Sequence, residues 1–118
     1  MHLYDLNNAE FEVVGGRKRL TISGEAAEFA MVEREPGAED GHSHPNEQFV
    51  YFLEGKAEFH VGDEKQTVGA GQVLHIPANI QHGIKPLSHI RYVTVYAPGR
   101  DASRQEAKEG KTGHHLAG

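Results

Sequence analysis

The chain consists of short runs in which apolar and polar residues alternate, and Gly, Pro, Asn and Asp interrupt those runs at close spacing. No stretch sustains the roughly 3.6-residue apolar period of an amphipathic helix. A chain patterned in this way folds as an all-β sandwich or barrel. Lys56 to Val61 is the clearest segment, with Ala57, Phe59 and Val61 on one side and Lys56, Glu58 and His60 on the other. That is a strand with one wet face. Gly62-Asp63-Glu64 then supplies turn chemistry, so the strand pairs with Lys65 to Val68 as a hairpin, and Gly69-Ala70-Gly71 turns the next corner.

Gln48 to Leu53 reads differently. Val50 and Phe52 share the parity of Gln48, while Phe49, Tyr51 and Leu53 take the other, so both faces of this strand need cover. A chain of 118 residues forms one core and has little left to cover an apolar outer face, which predicts a homodimer. Further strands are predicted over Arg17 to Ser23, Glu28 to Arg34, Val73 to Ile76, Gln81 to Ile84 and Ile90 to Tyr96. The barrel is expected over 1–100, and the polar, Gly-rich residues 101–118 form a tail, helical in part or mobile.

Composition excludes several functions. Lys and Arg number 12 against 17 Asp and Glu, a net charge of -5, and no basic stripe offsets it. Binding of nucleic acid through its phosphates is therefore not expected. No apolar run is long enough to cross a bilayer, and the start MHLYDLNNAE lacks the basic-then-apolar pattern of a secretory signal. The expectation is a cytoplasmic protein with no membrane partner. Cys is absent, so a bound metal has only imidazole and oxygen donors to draw on.

Nine histidines are available, and their positions separate them. Gly41-His42-Ser43-His44 puts two imidazoles on one face of extended backbone, the geometry of a chelating pair. A divalent first-row ion accepts such nitrogen donors, and a third from a distant strand fixes a facial arrangement with open positions. His82 is the candidate. The spacing around these residues is Gly37, four residues, His42-x-His44, three residues, Gln48, six residues, Gly55; then Gly71, five residues, Pro77-x-Asn79, two residues, His82. This resembles both signature motifs of the cupin superfamily, from about Gly37 to Pro86. One residue fewer follows Gly37 than in the family pattern. Gln48 stands where Glu is most frequent, Asn79 replaces Gly, and Pro86 replaces a final Asn. Asn79 can take the positive-φ conformation that Gly would supply.

The resemblance implies a double-stranded β-helix, or jelly-roll, barrel holding one divalent metal ion on His42, His44, His82 and Gln48. Zn, Mn, Fe, Ni and Co are equally compatible. The spacing to Gly55 selects Gln48 over its neighbour Glu47, and Gln48 shares strand parity with His44. His75 is expected to be a packed core histidine on a strand facing the cavity or the opposite sheet. His2, His60, His89, His114 and His115 are expected to be solvated.

Within the superfamily, His42-Ser-His-Pro-Asn-Glu-Gln48 followed by Val50-Tyr-Phe-Leu-Glu-Gly55 is similar to the KdgF-type proteins of uronate degradation, which convert 4,5-unsaturated uronates to linear keto sugars. That similarity implies a metal-dependent lyase or isomerase acting on a small sugar acid. Those proteins carry an Asp, an aromatic and an Arg near the end of the barrel, and Thr94, Tyr96 and Arg100 stand at the matching places. Arg100 becomes the candidate cation for the substrate carboxylate, and Tyr96 the residue that partly stands in for the missing carboxylate base. A neutral amide in the ligand set leaves the metal one charge unit more positive and so a stronger Lewis acid. The same three histidines also suit an iron-dependent dioxygenase of a small organic substrate, or a cupin that binds a small molecule without turning it over.

Overall fold

The computed structural model describes residues 3–14, 16–37 and 40–99, the side chains of Val14 and Asp40 excepted. Arg100 and the predicted tail lie outside the described residues. Ten strands follow in chain order: β1 (Glu12–Val14), β2 (Arg17–Ser23), β3 (Glu28–Arg34), β4 (Asp40–His42), β5 (Glu47–Glu54), β6 (Lys56–Val61), β7 (Glu64–Gly69), β8 (Val73–Ile76), β9 (His82–Pro86) and β10 (Ile90–Ala97). Among the described residues there is no helix. The strands form a six-stranded sheet in the order β1-β2-β3-β10-β5-β8 and a four-stranded sheet in the order β4-β9-β6-β7. Every pairing is antiparallel. This is the all-β architecture the sequence patterning calls for, in the jelly-roll form the family resemblance implies.

Local chemistry accounts for the corners. The predicted hairpin of β6 and β7 closes over Gly62 and Asp63, with Val61 paired to Glu64 and Gly62 at φ 58°. Positive φ at the first loop residue is what a two-residue turn led by glycine requires. Gly55, between β5 and β6, holds φ 82°, and a side chain there would strike the carbonyl of His89.

Alternation along the strands then builds the interior. Ala57 and Phe59 on β6 are buried with Val50 and Phe52 on β5, and Ala30, Val32, Val68, Ile76, Ile84, Ile90 and Tyr92 complete the group. Phe52 meets Phe59 edge-on with ring centroids 5.6 Å apart and stacks on Tyr92 at 5.5 Å. Full burial of such a ring contributes on the order of 2–3 kcal/mol.

The outer face of the large sheet is apolar as well. Strand register aligns Leu20, Met31, Val93, Tyr51 and Val73 in one row across five strands, and Ile22, Phe29, Val95, Phe49 and His75 in the next. Phe49, Tyr51 and Val73 remain 46%, 44% and 61% exposed. His75 departs from expectation here. It points outward, stacks on Phe49 with ring centroids 4.8 Å apart and meets Glu47 Oε2 at 2.6 Å. It shares the outward parity of Val73, whereas Leu74 and Ile76 turn inward.

Candidate metal centre

β4 and β9 bring the first and last motif histidines together, because His42 lies directly opposite His82 in the strand register. Their ring centroids are 4.4 Å apart. His44, just beyond β4, completes the group, with its ring 5.5 Å from that of His42 and 4.9 Å from that of His82. Potential ligand atoms of the three residues all lie within 4.8 Å of one another. His44 and His82 are buried, and His42 is partly so.

Backbone carbonyls orient two of the rings. Nδ1 of His44 lies 3.0 Å from the Asn46 carbonyl, and Nδ1 of His82 lies 3.0 Å from the Ile80 carbonyl. A carbonyl only accepts, so each Nδ1 carries the proton and each Nε2 keeps its lone pair, the tautomer that ligates a metal. The second-motif turn is tied to the first at the same point. Asn79 takes the positive φ anticipated for it, 64°, and its N–H donates to the His44 carbonyl at 2.7 Å.

Gln48 faces the cavity and Glu47 the exterior. The Gln48 amide donates through Nε2 to Thr94 Oγ1 at 2.9 Å and to Tyr96 Oη at 3.2 Å. The Thr94 hydroxyl donates its own hydrogen bond to the Phe49 carbonyl at 3.0 Å, so its oxygen accepts from Gln48 and fixes which end of the amide is nitrogen. Gln48 Oε1 is buried with no hydrogen-bond partner among the described residues. Such an oxygen costs about 1–3 kcal/mol unless a ligand meets it. The donor set, three imidazoles and one amide oxygen, therefore fits a borderline divalent ion.

The cavity beside this cluster is lined by His42, Gln48, His82, Tyr92 and Tyr96, and also by Arg17, Arg19 and Arg34. The three arginines were not foreseen from the sequence. Their signal was present: Arg17 and Arg19 share one parity on β2, opposite the apolar Leu20 and Ile22, and the strand reads as if its charged side were outermost. Arg19 Nη2 lies 3.4 Å from Oε2 of the buried Glu28, and its guanidinium stands 5.7 Å from the centre of the Tyr96 ring. Burial works against the Arg19 charge, but Tyr96, Tyr92 and Glu28 outweigh it and the pKa is raised. Arg19 is a permanent cation.

The sequence profile described as a cupin domain matches residues 30–102. The chain belongs to the cupin family. Its structure is similar to that of an RmlC-like cupin from Shewanella frigidimarina, with TM-score 0.81 and 23% identity over 87% of this chain and 96% of that one. KdgF from Halomonas sp. gives TM-score 0.79 and 20% identity over 86% of this chain and 99% of that one. A single-residue variant of Bacillus subtilis oxalate decarboxylase gives TM-score 0.72 and 19% identity, covering 82% of this chain and 29% of that one. Among curated proteins no significant match is found. At these identities the neighbours establish the cupin fold, and the histidine cluster makes this cupin compatible with metal binding.

Proposed function

We propose that this cupin is a metal-dependent lyase or isomerase acting on a small sugar acid such as an unsaturated uronate. The observation that carries the reading is the joining of a three-histidine cluster to a glutamine held by Thr94 and Tyr96, beside a cavity with cationic walls. His42, His44, His82 and the Gln48 carbonyl would hold one divalent ion. When bound, it supplies Lewis acidity toward oxygens of the substrate.

The chain's own residues do the rest. Thr94 and Tyr96 orient Gln48, and the aromatic and aliphatic walls around Val50, Phe59 and Ile76 exclude water from the sugar ring. The Tyr96 hydroxyl exchanges a proton with a substrate hydroxyl as the ring opens, since Thr94 has no titratable group for that task. Arg100, next in sequence after Gly99, is assigned to the substrate carboxylate. The protein works in the cytoplasm as a homodimer, its partner covering the two apolar rows of the large sheet.

Steady-state turnover of unsaturated galacturonate or guluronate by the metal-loaded protein tests the reading, with Tyr96→Phe expected to lower kcat. No turnover of either sugar sinks it, and oxygen uptake that requires ferrous ion moves the assignment to a dioxygenase.

A further inference from the structure

Arg17 and Arg34 are direct partners across β2 and β3, and Arg19 stands two residues along β2 on the same face. All three line the cavity that His42, Gln48 and His82 also line. Arg19 is held in place by the buried Glu28. Tyr92 senses the cluster. Burial, then Tyr96, pushes its phenol up, while Arg34, Arg17 and Arg19 all pull it down, and it lines the same cavity as the three arginines. Arg19 sits over the Tyr96 ring, which in turn lies 5.6 Å from the His44 ring, so the cationic wall adjoins the histidine cluster.

We propose that Arg17, Arg19 and Arg34 form a carboxylate-binding wall that seats a small organic acid, with its carboxylate on the guanidiniums and a hydroxyl or carbonyl oxygen toward His42, His44 and His82. The planar fork of Arg matches a carboxylate through paired N–H donors, which a water-filled cavity would not reward. The inference deepens the sugar-acid reading and rests on it for the second oxygen, and it moves the carboxylate from Arg100 alone to a wall inside the barrel.

Calorimetric titration of the full-length, zinc-loaded protein with D-galacturonate and with D-galactose, which differ by the carboxylate, tests the wall. Galacturonate is expected to bind about tenfold tighter or more, and Arg17→Gln and Arg34→Gln each to remove about tenfold of that preference while leaving galactose unaffected. Arg34→Lys, which keeps the charge and loses the fork, should recover part of it. Equal binding of the two sugars by the unsubstituted protein overturns the proposal without any variant having to fold, and so does a preference that survives both Gln substitutions. Zinc content measured on each sample separates the two readings. A carboxylate preference that persists in protein unable to hold zinc sinks the metal centre and leaves the wall, whereas one zinc per chain with no preference sinks the wall alone.

Discussion

On the inward face of the six-stranded sheet Arg17, Arg19, Glu28, Arg34, Gln48, Thr94 and Tyr96 stand beside the core residues Val32, Val50, Phe52 and Tyr92, and on its outward face stand Leu20, Ile22, Phe29, Met31, Phe49, Tyr51, Val93 and Val95. A sheet folded for stability alone would bury fewer polar groups beside that core and expose fewer apolar side chains outside. Burying polar groups costs free energy unless they are met by partners, and a broad exposed apolar face is uncommon on a chain that works alone. On the proposed reading the two faces take different occupants, a ligand inside and a second copy of the chain outside.

The largest effect is expected inside. His42→Ala or His82→Ala should weaken metal binding by more than about 100-fold, read by elemental analysis after dialysis, with the thermal unfolding of the barrel little changed. Unfolding of the metal-free variants at ambient temperature would mean that the ion, and not the apolar core, holds the two sheets together. Next comes the outer face, where Tyr51→Glu should leave a monomer by light scattering at micromolar concentration and leave metal content intact. A Tyr51→Glu protein that stays dimeric would break the contrast between the faces. Thr94→Val removes the acceptor that fixes the Gln48 amide, and is expected to reduce metal affinity by about 10- to 100-fold, the range of outer-shell partners. Gln48→Ala should cost less than either histidine substitution.

Smaller effects belong to the rim. Gly55→Ala places a side chain against the His89 carbonyl at a positive φ, and about 1–3 kcal/mol of stability should be lost in denaturant unfolding. His89 itself forms ion pairs with Glu35 and Glu33. The hydrogen bond to Glu35 chiefly holds its pKa above 6.5. A raised folded-state value means that the stabilisation is complete below the unfolded pKa and vanishes as pH rises through the folded one. His89→Ala should therefore lower the melting temperature at about pH 5.5 and leave it unchanged at about pH 9, while a His89 ring titrating below the unfolded value by NMR would contradict the ion pairs.

Much of this architecture was legible from periodicity. Arg17–Ser23, Glu28–Arg34, Lys56–Val61 and Val73–Ile76 are strands with the predicted bounds, because each combines alternation with flanking turn residues. β1 and β4 are three residues each, too short for an alternating pattern to register, and they exist because β2 and β9 offer them an edge. The histidine cluster was legible because motif spacing encodes it. The arginine wall was not, since a period-two pattern defines two faces of a strand without saying which of them turns inward. His75 failed for the same reason, with Glu47 and Phe49 available to hold it outside.

β4 sits at the edge of the four-stranded sheet, joined by three residue pairs to β9 alone, and its last residue is His42. An ion held by His42 and His82 would therefore tie this edge strand to its neighbour. Chelation should quicken amide exchange from Asp40 to His44 and leave β3 and β10 slow, so that occupancy of the centre sets how long the mouth of the barrel keeps its shape.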